Sequence, residues 1–118
     1  MRHATRLLIT ALLGFASSPA FAGDDAAAAW KATQRVNAAQ QALSDRYTAI
    51  WSTLDPSQKS RFAAQERAWL NQGRQQEQAA CIADAGARTE LVARTCEAAV
   101  IERRLGGLAA LQRVASSR

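Results

Sequence analysis

Hydrophobic residues recur along this chain at the three- and four-residue spacing of helices, and no segment alternates with the two-residue period of a strand. Beyond residue 22 the sequence is rich in Ala, Gln, Arg, Leu and Glu, which favour helices, whereas Val, Ile, Phe and Tyr are sparse. The pattern therefore predicts an all-α fold with three main helices.

The first predicted helix begins near Asp24 or Asp25, since either carboxylate can cap it and interact with the positive end of its dipole. It is expected to end at about Thr53. Its apolar side is a stripe that Trp51 broadens. The stripe consists of Val36, Leu43, Tyr47, Ile50 and Leu54.

The second predicted helix begins at a capping box. Asp55 suits the N-cap, Pro56 the first helical position and Gln58 the third. We expect this helix to end at about Asp84. Gly73 lies in its apolar stripe, where a glycine can let a neighbouring side chain approach closely. The other members of that stripe are Phe62, Trp69, Leu70, Ala80 and Cys81.

A second turn is predicted at residues 84–89. Gly86 suits a left-handed C-cap and Thr89 the N-cap of a third helix, which is expected over Glu90–Val114. The pair Gly106–Gly107 lies inside this helix and predicts a kink or an early end there. The three predicted helices are thus separated by two short turns.

The chain has two cysteines, Cys81 and Cys96, and the midpoint between them falls between Arg88 and Thr89, inside the second turn. Residues equidistant from the turn of an antiparallel helix pair face each other. The spacing therefore predicts a disulfide between the second and third helices, which would form an antiparallel hairpin. Paired free thiols and an intermolecular bond are the alternatives. In the chain-entropy model, closing a loop of about 15 residues contributes roughly 3 kcal/mol.

Residues 1–22 have the three parts of a secretory signal peptide. Two arginines precede the apolar run Leu7–Ala16, and Ala20–Ala22 has the small-x-small pattern that signal peptidase accepts. The apolar run is too short to span a bilayer. Residue 23 is Gly, whereas a bacterial lipoprotein carries Cys at this position.

These features predict cleavage after Ala22 and a periplasmic or secreted protein without a membrane anchor. The mature chain would be a single helical domain over residues 23–115, followed by a tail at 116–118. An oxidising compartment is also where a structural disulfide persists.

The charge of the predicted mature chain is modest. Loss of Arg2 and Arg6 leaves 13 of the 15 basic residues against 10 acidic ones, so the net charge falls from +5 to +3. The basic residues form no dense cluster, and we expect no nucleic-acid partner. The only histidine, His3, belongs to the signal peptide. Two thiols without histidine do not support a zinc site, and no cofactor or metal is expected.

Arg104 is the unusual polar residue, because it lies among apolar residues of the third predicted helix. It could form an ion pair with Glu66 or Glu77, extend to water, or bind a ligand. The two glutamates are separated by about 16 Å along one helix, too far for the paired carboxylates of a glycosidase. With no Ser-His-Asp or Cys-His set, no enzymatic activity is expected.

The mature chain has three tryptophans, Trp30, Trp51 and Trp69. Trp51 and Trp69 lie in apolar stripes and are predicted to be core residues. Trp30 has fewer apolar neighbours at helical spacing. It either packs over a helix end or is exposed as a contact residue.

Several residues follow a recognisable order along the chain. They are Leu43, Tyr47 and Leu54; Phe62 and Arg67-Ala68-Trp69-Leu70; and Cys96, Arg104 and Leu108. This order resembles the lysozyme-inhibitor LprI-like (N-terminal domain) family, which consists of small exported helical proteins of bacteria. The resemblance spans roughly residues 43–108. Glu66 stands where that family usually has Gln.

The resemblance implies an exported, non-catalytic binding protein that protects the cell wall from lysozyme. Its partner would be a protein, with a lysozyme as the candidate. The alternative is an envelope interaction or adaptor protein that does not inhibit lysozyme. The predicted partner contact is the turn that carries Asp84, Gly86 and Arg88. No pattern in the sequence indicates an oligomeric state.

Overall fold

The computed structural model describes the backbone of residues 19–116 and the side chains of residues 25–112. Over this range the fold is all-helical, and no strand occurs in it. No helix in this range is long and apolar enough to cross a membrane. The elements are α1 (Pro19–Trp51), α2 (Pro56–Ala68), a π-helical segment (Trp69–Gly73), α3 (Arg74–Ala85) and α4 (Glu90–Ser116).

The second predicted helix corresponds to α2, the π-helical segment and α3, which follow one another without a break. Most of the predicted signal peptide, residues 1–18, lies outside the described residues, as does the end of the tail, residues 117–118. Cleavage after Ala22 therefore stays a prediction.

One predicted helix boundary is wrong, and one of the two alternatives given for Gly106–Gly107 is not found. Helix α1 begins at Pro19, before the expected start near Asp24, because the alanine-rich segment that follows favours helix. Helix α4 does not end early at Gly106–Gly107 but continues to Ser116. Buried Ile101 and Leu108 hold α4 against the core on both sides of the glycines, which outweighs their low helix propensity.

The two predicted turns are confirmed. Asp55 accepts a hydrogen bond from the Gln58 backbone at 2.8 Å, and the Gln58 side chain accepts one from the Asp55 backbone at 2.9 Å. Gly86 adopts the left-handed conformation with φ of 71°. The Thr89 hydroxyl oxygen accepts a hydrogen bond from the Val92 backbone at 3.1 Å. Each turn is therefore defined by residues adjacent to it.

The core lies mainly between α1 and α4, which share the most extensive contact of any two elements in the described range. Arg35 bonds to Glu102, and Arg46, further along α1, bonds to Gln112, further along α4. The two helices therefore run parallel. The buried cluster consists of Val36, Ala39, Leu43, Ile50, Trp69, Ala98, Val100, Ile101 and Leu108.

The predicted disulfide is confirmed. Cys81 of α3 is bonded to Cys96 of α4, so the alternatives of free thiols and an intermolecular bond do not apply. Close to this bond, the Gln78 side chain donates a hydrogen bond to the Ala93 carbonyl at 2.9 Å. These contacts hold α3 against α4.

The prediction that Trp51 is a core residue is wrong, because its side chain is 43% exposed. Trp51 is the last residue of α1, and its ring contacts Phe62 on one side and lies beneath the Lys59 ammonium group. Trp69 is buried as predicted. Trp30 was predicted either to pack over a helix end or to be exposed. Its side chain is 64% exposed, which favours the second alternative.

The apolar stripe predicted for the second helix is also partly wrong. Leu70 and Ala80 are exposed, and Cys81 is only half-buried. The π-helical segment lies between α2 and α3 and holds more residues per turn than an α-helix. Residues after the π-helical segment are therefore rotated away from the face that a period of 3.6 residues per turn predicts for them.

Candidate functional site

The π-helical segment begins with Trp69, which is buried in the core. Segments of this kind interrupt α-helices where an extra residue must be accommodated, and they are frequent at functional sites. Gly73 ends the segment and lies directly against the indole. A Cβ atom at Gly73 would lie 2.9 Å from Cδ1 of Trp69, closer than atoms normally approach. The absence of a side chain at Gly73 thus allows the indole its position.

The Trp69 ring has three polar neighbours. Its Nε1 donates a hydrogen bond to Oε2 of Glu77 at 2.9 Å. The guanidinium carbons of Arg104 and Arg74 lie 5.3 and 5.7 Å from the ring centre, within the range of cation–π attraction. Glu77 also accepts a bond from Arg103. The indole is therefore held by directional contacts as well as by burial.

Glu66 is the one buried charged residue within the described range, with 8% of its surface exposed. It forms an ion pair with Arg104, whose side chain is 24% exposed. Arg104 thus pairs with Glu66 of α2, whereas Glu77 contacts Trp69 and Arg103 instead. The pair joins α2 to α4 in the interior, where loss of one partner would leave the other charge poorly solvated.

The Tyr47 hydroxyl of α1 lies beside this ion pair. Burial and the neighbouring Glu66 carboxylate raise the pKa of Tyr47 above its ordinary value, while Arg104 opposes the shift. Three buried atoms of the group have no hydrogen-bond partner within the described residues: Tyr47 Oη, Glu66 Oε2 and Arg104 Nε.

Together these residues form an internal polar network, which we define as Tyr47, Glu66, Trp69, Glu77 and Arg104. The network connects α1, α2, the π-helical segment, α3 and α4, so it determines how the helices sit against one another. The three grooves described for the chain are lined by other residues. The described residues also contain no cluster of His, Cys, Asp and Glu suited to a metal ion.

The turn between α3 and α4 carries a groove of about 500 Å³, here called the tip groove. Gly86 and Arg88 line it, and Asp84 is exposed nearby without lining it. Arg88 is the one charged residue among the lining residues. The others are small or apolar: Ala79, Ile82, Ala83, Ala87, Thr89 and Ala93.

A groove of about 300 Å³ lies between the end of α1, α2 and the second half of α4. We call it the base groove. Its apolar lining residues are Ile50, Leu54, Phe62, Leu108 and Leu111. The sequence interpretation missed it, because the same apolar positions also predict a filled core. The available sequence signal for the groove was Leu111, an apolar residue late in the third predicted helix. Its side chain is 60% exposed.

The residues that resemble the LprI-like motif occupy two kinds of position. Arg67, Ala68 and Leu70 are exposed and do not take part in the polar network. The other positions belong to the core, pack against it or join the network. These are Leu43, Tyr47, Leu54, Phe62, Trp69, Cys96, Arg104 and Leu108.

Comparison of the chain with known protein families, with curated proteins and with solved structures finds no match.

Proposed function

We propose that this chain is an exported, non-catalytic binding protein that contacts a protein partner through the tip groove. The observation that carries the proposal is the groove itself, an exposed apolar concavity beside a disulfide. A disulfide and a signal-like N-terminus fit a protein that works in the periplasm or is secreted. The partner would insert an apolar side chain between α3 and α4.

The finer arrangement proposed for α3 and α4 is an antiparallel hairpin. Gln78 of α3 contacts Ala93 of α4, while Arg74, earlier in α3, pairs with Glu97, later in α4. The opposite order of these contacts supports the hairpin. A covalent bond near its turn would hold the groove in its binding conformation before the partner arrives, which lowers the entropic cost of association.

The first candidate partner is a lysozyme, because the motif order resembles the LprI-like lysozyme inhibitors. In this role the internal polar network would serve as scaffold, and the tip as the surface that contacts the enzyme. The motif residues Trp69 and Arg104 then act through the shape of the molecule and need not contact the partner themselves.

The second candidate is an adaptor of the cell envelope that does not inhibit lysozyme. One observation favours it. Arg88 is the one charged residue lining the tip groove, and no acidic residue lines it. Lysozymes of the animal type are basic, so electrostatic steering of such an enzyme toward this groove would be unfavourable.

The test is an inhibition assay of the exported, disulfide-bonded protein against several classes of lysozyme, with cell-wall hydrolysis as readout. Ala83→Arg would fill the tip groove, and Ala80→Arg is the matched control, because Ala80 is exposed on the same helix but does not line the groove. We expect Ala83→Arg to abolish inhibition of lysozyme and Ala80→Arg to leave it unchanged.

Failure to inhibit any class at micromolar protein would overturn the lysozyme-inhibitor role. The adaptor role is tested separately with a photo-crosslinking residue at position 88, in the periplasm of living cells. Crosslinking of one dominant endogenous protein, lost in Ala83→Arg and retained in Ala80→Arg, would support it. Crosslinking that is the same in both variants would exclude the tip groove as the contact surface.

A further inference from the structure

The base groove is a second concave surface, remote from the tip. Leu108 lies in its floor, 19 residues beyond Thr89, which corresponds to about 28 Å along α4. Leu108 is almost fully buried, whereas Leu111 one turn later is 60% exposed at the rim. The groove thus combines a fixed apolar floor with an accessible apolar edge. Its size suits one or two large apolar side chains of a partner.

Three basic side chains lie in or beside the base groove. Arg61 is the one charged lining residue, and it is exposed. Lys59 lies 5.5 Å from the Trp51 ring, which contacts the lining residue Phe62. Arg46 donates a hydrogen bond to the Gln112 side chain, which also lines the groove, at 2.6 Å.

None of these three cations forms an ion pair within the described range. The ion pairs found there involve other arginines: Arg35, Arg74, Arg94, Arg103 and Arg104. Two aspartates are close in sequence, but Asp45 accepts a bond from Gln41 and Asp55 caps α2. Neither aspartate forms an ion pair with these cations, so the apolar groove carries one basic lining residue with two further cations beside it.

We propose that the base groove binds an acidic amphipathic helix of a partner protein. The apolar side chains of that helix would lie over Leu54, Phe62 and Leu108, and its Asp and Glu residues would meet Arg46, Lys59 and Arg61. Recognition of this kind uses apolar anchors spaced along one helix face for affinity. Opposite charges at the rim add orientation and a faster association rate. This surface is independent of the tip groove and of the proposed lysozyme-binding role.

The experiment uses two fluorescent synthetic helices with Leu at positions i, i+3, i+4 and i+7. In one, the flanking positions are Glu, and in the other they are Lys. Fluorescence anisotropy with the exported, disulfide-bonded protein measures binding of each. We expect the Glu peptide to bind at submillimolar concentration and the Lys peptide to bind at least roughly tenfold more weakly, with added salt reducing the difference.

Arg61→Glu is the decisive variant, and Arg67→Glu is its matched control, because both arginines are exposed on α2 and only Arg61 lines the groove. We expect Arg61→Glu to weaken binding of the Glu peptide roughly tenfold, and Arg67→Glu to leave it unchanged. Leu111→Asp should weaken binding of both peptides. Circular dichroism of each variant checks that the helical fold is retained.

Several outcomes would overturn the proposal. These are equal binding of the two peptides, no binding of either peptide, and equal effects of Arg61→Glu and Arg67→Glu. Loss of a dimer on Arg61→Glu in analytical ultracentrifugation would identify a second copy as the occupant instead. Tighter binding to phosphatidylglycerol vesicles than to the Glu peptide, again dependent on Arg61, would identify a lipid surface.

Discussion

Gly73→Ala provides a sharp test of the Trp69 packing, because two opposing effects act at this position. Alanine favours helix over glycine by about 1 kcal/mol, so propensity alone predicts that the substitution stabilises the protein. The structure predicts the opposite. The added methyl group would lie 2.9 Å from Cδ1 of the Trp69 ring, too close for the two atoms to coexist without movement.

The ring cannot move away without loss. Trp69 is buried, its Nε1 is bonded to Glu77, and Arg104 lies over its ring. Overpacking a site of this kind costs about 1–3 kcal/mol, and loss of the Trp69–Glu77 hydrogen bond costs about 1 kcal/mol more. After the gain in propensity, we expect Gly73→Ala to lower the free energy of unfolding by about 1–3 kcal/mol.

Gly106→Ala is the matched control. Gly106 also lies within a helix, but a Cβ atom there would have no neighbouring atom within 4 Å. Propensity then acts alone, and this variant should gain up to about 1 kcal/mol. The two variants should therefore differ by about 2–4 kcal/mol, which corresponds to roughly 10–30 °C in Tm for a domain of this size.

Urea and thermal unfolding followed by helical circular dichroism measure both differences. Tryptophan fluorescence of the folded Gly73→Ala variant reports whether the environment of the indoles has changed. If Gly73→Ala is as stable as Gly106→Ala, the close approach of Trp69 does not constrain residue 73. The position of the indole would then not depend on the absence of a side chain at Gly73.

Three other outcomes follow from the disulfide and the polar network. Paired Cys81→Ser and Cys96→Ser substitutions should lower the free energy of unfolding by about 3 kcal/mol, since the loop is no longer closed in the unfolded chain; an unchanged urea midpoint would contradict this. Glu66→Ala leaves the Arg104 guanidinium without its carboxylate and should lower the free energy of unfolding by about 3 kcal/mol. Glu66→Gln keeps a hydrogen-bond acceptor for Arg104 and should lower it by about 1 kcal/mol. Equal urea midpoints for the two variants would argue against a role for that acceptor. Because the pKa of Tyr47 is raised above its ordinary value of 10.0, the folded state keeps a proton that the unfolded chain releases, so the contribution of Tyr47 to stability should be constant below about pH 10 and fall at higher pH. Tyrosinate absorbance follows this single tyrosine directly, and Tyr47→Phe should remove its contribution to the fall; an ordinary titration midpoint in the folded protein would contradict the prediction.

The candidate site was only partly predictable. Arg104 stands out in the sequence as a charged residue in an apolar stripe, and both Glu66 and Glu77 were reachable acids on one predicted helix. Which of them pairs with Arg104 depends on how the π-helical segment rotates the two halves of that helix relative to each other. A period of 3.6 residues contains no information about that rotation.

The base groove was not predicted, for a related reason. Apolar positions near the ends of α1 and α4 indicate only that these residues avoid water, and a filled core would satisfy them equally well. Whether these apolar residues pack against one another or leave a groove depends on the angle at which α2 leaves the turn after α1. The exposure of Leu111 and Trp51 is a consequence of that geometry.

The sequence was sufficient for the all-helical class, the capping box at Asp55, the left-handed Gly86 and the Cys81–Cys96 bond. Each of these depends on a local signal, either a few adjacent residues or the symmetry of two cysteines about one turn. The tertiary structure alone decided that Glu66 is buried, that Trp51 is exposed and that Trp69 packs over Gly73. Those outcomes depend on the relative rotation of helices, which arises from contacts between residues far apart in the chain.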